Sequence, residues 1–225
     1  MSEARAPRAL ICDLDMTLID SRRDIAQAVL RALRAGCDLH LEEEQVYPWI
    51  GRPLHRVFAG LARQSTPIQI EQCVEFYRKD FFENCCRYSK PYPGVVETLE
   101  TLGRREIRRA VASNKMSFMV RRVCQALRID RLFEHFQGTD EFPHKPDPAM
   151  IENTCRVLGV TAGETVVIGD TAMDLQAGKN AGCRTVAVTY GIASKAELEA
   201  EKPDLIIEAF PEVITLFSGG PELIA

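Results

Sequence analysis

A chain of 225 residues is long enough for one large domain, or for one domain with a small insert. Hydrophobic residues make up 46% of the chain, and the formal net charge is -4. This charge gives no general attraction to nucleic acid or to an anionic membrane. The polar residues 1–8 do not resemble a signal peptide, and no segment reaches the roughly 18 apolar residues that cross a bilayer. We therefore expect a globular cytoplasmic protein that binds neither nucleic acid nor membrane.

The eight cysteines are scattered through apolar stretches, without a C-x-x-C pair and without a histidine at zinc-binding spacing. We therefore expect reduced and mostly buried thiols, as in other cytosolic proteins. They are Cys12, Cys37, Cys73, Cys85, Cys86, Cys124, Cys155 and Cys183.

The first part of the chain is predicted to be one short strand followed by helices. Ala9–Cys12 is an apolar run that predicts a buried strand. Asp24–Ala35 places apolar side chains on one helical face, with Gly36 where a helix end is expected. The pattern stays helical to about Tyr88, and no strand is predicted there. The further helices predicted in this stretch are Glu42–Trp49, Leu54–Arg63 and Ile68–Asn84.

From Lys90 onward strands and helices alternate, after a turn that Pro91, Pro93 and Gly94 predict. This alternation is typical of a parallel sheet with helices on both faces. The predicted strands are Arg108–Ala112, Phe133–Gly138, Thr165–Ile168, Thr185–Val188 and Leu205–Ile207. The predicted helices are Val95–Leu102, Ser117–Leu127, Pro148–Leu158, Asp174–Ala181 and Pro211–Phe217.

A single strand, an all-helical stretch and a return to alternation together indicate an insertion into a sheet domain. The predicted fold class is therefore α/β: a Rossmann-like three-layer core with a parallel sheet, plus an inserted all-helical cap domain. We assign residues 1–17 and 89–225 to the core and residues 18–88 to the cap.

Four groups of polar residues stand where ligands bind in open parallel sheets, beyond the carboxyl ends of strands. The first is Asp13-Leu14-Asp15, with Thr17 two residues further on. Residues two apart on a strand face the same side, so Asp13 and Asp15 are expected to point into one site while Leu14 packs beneath. Two such acids repel each other, so either one is protonated or both hold a cation.

The other three groups suit phosphate and Mg²⁺. Ser113 and Asn114 offer a hydroxyl, an amide and backbone N–H groups at a helix start. Lys145 is a compact positive charge suited to a phosphoryl oxygen and a neighbouring carboxylate. Asp170 and Asp174 lie one helical turn apart and offer the oxygen ligands that Mg²⁺ prefers. Taken singly, these features are also typical of helix caps and surface charges, and it is their shared order along one sheet that favours function.

This order of motifs resembles the haloacid dehalogenase (HAD) superfamily, in its branch with a small helical cap inserted after the first motif. The resemblance spans nearly the whole chain and is strongest to phosphoglycolate-phosphatase-like enzymes. The residues that match the four family motifs in turn are Asp13 with Asp15, Ser113, Lys145, and Asp170 with Asp174. The resemblance is also supported by the stretches DLDMTLIDS at Asp13–Ser21, PYPGVVETL at Pro91–Leu99, KPDP at Lys145–Pro148 and TYGIA at Thr189–Ala193.

The resemblance implies a Mg²⁺-dependent phosphohydrolase. Asp13 would attack phosphorus and form an aspartyl phosphate, while Asp15 would protonate the leaving alcohol and then activate water. Mg²⁺ would be held by Asp13, by the backbone carbonyl of Asp15 and by Asp170. Lys145, oriented by Asp174, would neutralise a phosphoryl oxygen. The further residues implied to bind phosphate are Thr17, Ser113 and Asn114.

Two positions of the first motif are informative, and Met16 is the one that departs from the family pattern. Asp15 excludes the dehalogenases and phosphonate hydrolases of the superfamily, which lack an acid two residues after the nucleophile. Met16 stands where the family usually has glycine, so either the loop is shifted or Met16 takes an uncommon backbone conformation that costs about 1–2 kcal/mol. In the predicted cap, Arg52 is a candidate for substrate selection, and a solvated arginine is the alternative.

The motifs leave three functions open. The first is hydrolysis of a small phosphorylated metabolite, with 2-phosphoglycolate as the expected substrate and pyrophosphate, nucleoside monophosphates or sugar phosphates as alternatives. The second is a sugar-phosphate mutase related to β-phosphoglucomutase, which would use the same Asp13 and Asp15. The third is a non-catalytic binding domain on the same fold. The protein is expected to be a monomer or a homodimer.

Overall fold

The computed structural model describes residues 6–217. The strands are β1 (Ala9–Cys12), β2 (Ile19–Asp20), β3 (Lys90–Pro91), β4 (Arg108–Ala112), β5 (His135–Gln137), β6 (Thr165–Gly169), β7 (Arg184–Val188) and β8 (Leu205–Ile207). The α-helices are α1 (Arg22–Cys37), α2 (Glu43–Val46), α3 (Leu54–Leu61), α4 (Pro67–Asn84), α5 (Val95–Arg104), α6 (Ser117–Ala126), α7 (Ala149–Leu158), α8 (Ala172–Asn180) and α9 (Lys195–Ala200). Short 3-10 helices occupy Tyr47–Trp49, Asp130–Leu132, Ala162–Glu164 and Phe210–Phe217.

The main sheet has the strand order β5-β4-β1-β6-β7-β8, and every neighbouring pair is parallel. The first strand of the chain therefore lies inside the sheet, where Ile11 is in register with Ala110 on one side and with Val167 on the other. Parallel strands need crossover connections, which is why helices alternate with strands in this part of the sequence. The predicted α/β class with a parallel sheet is confirmed.

The sheet is buried on both faces. On one face, Ile11 and Val167 pack with Met150 and Ile151 of α7 in a single apolar core, to which α8 also contributes. Side chains alternate along a strand, so Leu10, which is also fully buried, faces the opposite layer. Helices α5 and α6 contact the sheet at β4 and β5 respectively. This three-layer arrangement explains why the two central strands, β1 and β6, read as apolar runs rather than alternating patterns.

The described chain separates into two compact units. One contains the residues up to Leu18 and those from Pro91 onward, and the other is the inserted unit, Ile19–Lys90. The inserted unit contains α1 to α4, with α4 packed along α1 and against α3. The division lies within two residues of the predicted boundaries at 17/18 and 88/89. The action of the inserted unit as a cap stays a prediction.

The two ends of the inserted unit are joined by one buried carboxylate. Asp24, in the first turn of α1, accepts hydrogen bonds from the backbone N–H of Tyr88 at 3.0 Å and of Ser89 at 2.7 Å. The Ser89 hydroxyl adds a third, at 2.6 Å. A buried carboxylate needs such donors, because an unpaired buried charge is costly. Asp24 therefore holds the end of the insertion beside its start.

Helix α1 does not end at Gly36, contrary to the sequence prediction. It continues to Cys37, and Asp38 follows in the left-handed conformation, with φ of 51°. Gly36 instead allows α1 and α4 to approach, since a Cβ built there would lie 2.6 Å from Sγ of Cys73 and 3.2 Å from its backbone nitrogen. The glycine is required by helix packing and not by a helix end.

Gly36→Ala should therefore destabilise the protein. Alanine favours a helix by about 1 kcal/mol over glycine, but an added methyl group in a filled contact costs about 1–3 kcal/mol. We expect a net loss of up to about 2 kcal/mol in the free energy of unfolding, measured by urea denaturation. Gly163→Ala is the matched control, because no atom lies within 4 Å of its added Cβ. Equal stability of the two variants would contradict the packing argument.

Four further elements differ from the sequence prediction. Helix α9 lies in a segment where no helix was predicted, and Ser194 and Glu197 form a capping box at its start. The two-residue strands β2 and β3 pair in a separate small sheet, and both are too short to leave a periodic signal. The last helix, Phe210–Phe217, is a 3-10 helix.

All eight cysteines carry free thiols, and five of the side chains are buried. Burial raises the pKa of Cys12 well above its ordinary value and that of Cys124 to about 12. These thiols act as small core residues, in line with the prediction. Within the described residues, none of the helices has the length and apolar character needed to span a bilayer.

Candidate active site

The predicted site residues meet at the carboxyl edge of the sheet. Asp13, Ser113 and Asp170 directly follow β1, β4 and β6, which are three adjacent strands. The sheet pairing continues into them, since Asp13 N–H donates to the carbonyl of Ile168 at 2.9 Å and Ser113 N–H to that of Gln137 at 3.0 Å. Their side chains are thus placed by interior strands of the sheet.

Lys145 is the centre of the site. Its ammonium group donates to Asp13 Oδ1 at 2.8 Å, to Asp174 Oδ1 at 2.6 Å and to the carbonyl of Ala112 at 2.7 Å. An ammonium has three N–H donors, so all are satisfied although the side chain is only 2% exposed. The backbone N–H of Lys145 donates to Asn114 Oδ1 at 2.9 Å. This hydrogen bond joins the loop that contains Lys145, here called the lysine loop, to the end of β4.

Burial is the main influence on the charges in this site. It opposes the charge of Lys145, but the carboxylates of Asp13 and Asp174 outweigh it and raise the lysine pKa above its ordinary value. Burial raises the pKa of Asp13 to about 7 despite Lys145, with Asp174 and Asp15 adding to the rise. Burial and then the charges of Asp174 and Asp13 also raise the pKa of Asp170 well above its ordinary value. The site holds more negative charge than Lys145 balances.

Asp15 has a separate partner that the sequence did not indicate. Its Oδ2 forms an ion pair with the ammonium of Lys115, while Asp13 pairs with Lys145. The side chain of Leu14 between the two acids is fully buried, as predicted. The repulsion expected between the acids is therefore reduced by two lysines, one on each carboxylate.

Asp170 is held by three contacts. Thr17 Oγ1 donates to its Oδ1 at 3.0 Å, and the backbone N–H of Ile192 donates to its Oδ2 at 2.9 Å. Gly191 packs so closely that a Cβ there would lie 2.2 Å from Cβ of Asp170. Tyr190 O–H donates to the carbonyl of Thr17 at 2.8 Å. The hydroxyl of Thr17, which was expected to bind phosphate, donates a hydrogen bond to Asp170 and so orients that acid.

One oxygen from each of Asp13, Asp170 and Asp174 lies within 4.8 Å of the others. Three carboxylates against one lysine, with hard oxygen donors, fit a divalent cation such as Mg²⁺. Both oxygens of Asp174 already accept hydrogen bonds, Oδ1 from Lys145 and Oδ2 from the N–H and hydroxyl of Thr171. The contact with Lys145 makes Asp174 a partner of the lysine, and metal binding by Asp13 and Asp170 stays a prediction.

Gly169 allows the side chain of Asp174 to pack directly against the end of β6. A Cβ at Gly169 would lie 2.2 Å from Cβ of Asp174. Thr171 and Asp174 form a capping box that starts α8, so the turn between β6 and α8 is closed by the same residues that orient the acids.

Ser113 and Asn114 are both fixed locally. The Ser113 side chain is buried, and its Oγ accepts a hydrogen bond from Lys115 N–H at 3.3 Å. Asn114 is bound through its Oδ1 to the lysine loop. Contact of Ser113, Asn114 and Thr17 with phosphate stays a prediction. Arg52 lies in the inserted unit with its guanidinium 5.0 Å from the ring centre of Trp49, and its part in substrate selection also stays a prediction.

Met16 takes the uncommon backbone conformation, with φ of 64°, and its side chain is fully buried. The second of the two alternatives for this position is therefore the one found. The left-handed conformation costs a non-glycine residue about 1–2 kcal/mol, and burial of an apolar side chain of this size contributes about 1.5–3 kcal/mol. Burial thus offsets the strain.

Three substitutions at Met16 should separate these two effects. Met16→Ala keeps the strain and loses the packing, and we expect it to cost about 2–5 kcal/mol. Met16→Gly relieves the strain and should be about 1 kcal/mol more stable than Met16→Ala. Met16→Leu conserves volume and should cost less than about 1.5 kcal/mol. Urea denaturation of the three variants checks this order, and a glycine variant less stable than the alanine variant would contradict it.

Comparisons with known proteins show the family of this chain. The chain matches the model of the haloacid dehalogenase-like hydrolase family over residues 10–188. A phosphoglycolate phosphatase from Aquifex aeolicus (strain VF5) is 32% identical over 213 residues, which cover 93% of this chain and 96% of the relative. Pyrophosphatase PpaX from Bacillus velezensis is 29% identical over 207 residues, covering 92% and 94%.

Among solved structures, the crystal structure of a predicted phosphoglycolate phosphatase from Haemophilus somnus 129pt has a TM-score of 0.86 at 29% identity. That likeness covers 93% of this chain and 97% of the neighbour. The match to the family model spans more than half of the chain, and the relatives are matched over nearly their full length. The chain therefore belongs to the haloacid dehalogenase-like hydrolase family, among its phosphatases.

Proposed function

We propose that the protein is a Mg²⁺-dependent phosphomonoesterase that acts through an aspartyl phosphate on Asp13. The observation that carries the proposal is the buried Lys145 ammonium, held between Asp13 and Asp174 at 2.8 and 2.6 Å. Asp170 lies beside them with one oxygen of each acid within 4.8 Å of the others. A fixed cation next to a nucleophilic carboxylate, with acids that could hold a second cation, suits the positioning and charge stabilisation that phosphoryl transfer requires.

In this proposal, Asp13, Asp15 and Lys145 have different roles in the reaction. Asp13 forms a bond to phosphorus as the P–O bond to the alcohol breaks, and Asp15 gives the leaving oxygen its proton. Asp15 then takes a proton from water, which attacks the aspartyl phosphate and restores the Asp13 carboxylate. Lys145 neutralises a phosphoryl oxygen throughout. When bound to Asp13, Asp170 and the backbone carbonyl of Asp15, Mg²⁺ would offset the repulsion between the anionic nucleophile and the anionic ester.

We propose 2-phosphoglycolate as the preferred substrate. The support is the similarity to relatives named phosphoglycolate phosphatase over nearly the whole chain, at 32–34% identity. Pyrophosphate is the alternative, because relatives named pyrophosphatase PpaX are matched over a similar length.

The test is phosphate release from 2-phosphoglycolate, pyrophosphate, a nucleoside monophosphate and a sugar phosphate, each with Mg²⁺ and after treatment with EDTA. We expect hydrolysis in Mg²⁺, fastest for 2-phosphoglycolate, and a fall of about 100-fold or more without the metal. Turnover of the sugar phosphate only with a sugar bisphosphate activator would favour the mutase. No turnover of any ester under either condition would contradict catalysis and favour a binding role.

A further inference from the structure

Lys115 lies on a short loop that the fold holds in place on both sides. The loop joins β4 to α6, and the backbone N–H of Lys115 donates to Ser113 Oγ at 3.3 Å. Its carbonyl accepts from the N–H of Thr139 at 3.0 Å. Gly138 packs against the same carbonyl so closely that a Cβ there would lie 2.4 Å from it. The position of Lys115 is therefore set by β4 and by the segment after β5.

The side chain of Lys115 reaches across the site to Asp15. Its ammonium pairs with Asp15 Oδ2, and the two side chains are only 17% and 15% exposed. A pair so shielded from water is screened less than a surface ion pair, so it can fix an orientation. The residue after Asp15 adds a second constraint, because Met16 is fully buried in a left-handed conformation. Both the backbone and one oxygen of Asp15 are thus held.

We propose that Lys115 is a positioning residue for Asp15, which it holds in the orientation needed for proton transfer. The inference rests on the proposed function, in which Asp15 is first an acid and then a base. The ammonium of Lys115 binds Oδ2 and thereby fixes the plane of the Asp15 carboxyl group for both proton transfers. The two lysines thereby have different tasks, since Lys145 acts on the nucleophile and the phosphoryl group while Lys115 acts through Asp15.

This assignment makes the effect of Lys115 depend on the leaving group. In the first step, the P–O bond breaks and the alkoxide of an alkyl ester takes the proton of Asp15. The phenolate of p-nitrophenyl phosphate is stable enough to leave without that proton. In the second step, a water molecule attacks the aspartyl phosphate, Asp15 takes its proton, and the P–O bond to Asp13 breaks. The second step needs Asp15 with every substrate.

The experiment compares Lys115→Met and Lys115→Arg with the unaltered protein in Mg²⁺, on 2-phosphoglycolate and on p-nitrophenyl phosphate. For Lys115→Met we expect kcat for 2-phosphoglycolate to fall about 100-fold, the usual effect of a displaced catalytic group, with KM changed less than about threefold. With p-nitrophenyl phosphate we expect a rapid burst of about one p-nitrophenol per enzyme and then slow turnover, because only the second step is impaired. Lys115→Arg keeps the charge and should recover part of kcat. Lys179→Met, at an exposed lysine of α8, is the control.

Other outcomes would overturn the inference. A raised KM for 2-phosphoglycolate with unchanged kcat would show that Lys115 binds the substrate instead. Equal losses with both esters and no burst would show a structural role. Failure of the unaltered protein to hydrolyse either ester would contradict the proposed function itself, which is a result distinct from these two.

Discussion

Replacing Asp13 with asparagine is expected to abolish phosphate release while leaving the protein folded. The change removes the nucleophile but keeps the shape of the side chain, and the asparagine Oδ1 can still accept a hydrogen bond from Lys145. Loss of a nucleophile typically lowers kcat by about 10⁴-fold or more. We expect this loss with every phosphate ester of the panel, measured by phosphate release in Mg²⁺.

The stability of Asp13→Asn should change little, for an electrostatic reason. Burial and the neighbouring Asp174 and Asp15 raise the pKa of Asp13 to about 7, so its charge is disfavoured in the folded protein. Removing that charge also weakens the attraction for Lys145, and we expect these two effects to cancel within about 1 kcal/mol. Asp38→Asn is the control, since it makes the same chemical change at an exposed position. An active Asp13→Asn variant would contradict the covalent route, and an unfolded one would mean that Asp13 is mainly structural.

The sequence was most informative where one physical rule decides the structure. Apolar runs such as Ala9–Cys12 and Thr165–Ile168 were placed to within one residue, because a strand buried on both faces is built mainly from apolar residues. Since carboxyl ends of parallel strands meet at one edge, the acids and small polar residues after β1, β4 and β6 were expected together. The structure brings Asp13 and Asp170 together as predicted.

What the sequence did not provide were contacts between distant positions. The ion pair of Lys115 with Asp15 joins residues 100 apart, and the hydrogen bond from Thr17 to Asp170 spans 153 residues. No periodicity or spacing encodes such pairs, because they depend on the order of strands in the sheet. Lys115 directly follows Ser113 and Asn114, and a charged residue so close to the end of a strand was the available signal.

Local signals were also outweighed in two places. Glycine is common at helix ends, but Gly36 is required because α4 packs closely against α1 at this position. Helix α9 is only six residues long, too short for hydrophobic periodicity to indicate it. The spacing of Ser194 and Glu197, a serine followed three residues later by a glutamate, was the available clue.

Replacing Lys145 with methionine is expected to abolish activity and also to destabilise the protein. Methionine fills a similar volume but cannot balance Asp13 and Asp174, which would then face each other and Asp170 with no cation between them. Removing one partner of a buried ion pair typically costs about 3–5 kcal/mol. Loss of the charge on the phosphoryl oxygen should lower kcat by about 10³-fold. Urea denaturation and phosphate release on the same preparation give both values.

The destabilisation should depend on the metal. In EDTA the three carboxylates of Lys145→Met have only protons to neutralise them, whereas in millimolar Mg²⁺ a bound cation would stabilise the folded state. We therefore expect the loss of unfolding free energy to be smaller in Mg²⁺ than in EDTA. Lys179→Met, which removes an exposed lysine, should change neither value. Equal destabilisation of Lys145→Met with and without Mg²⁺ would contradict a metal site between Asp13 and Asp170, since a cation bound there must lessen the repulsion that the lysine no longer balances.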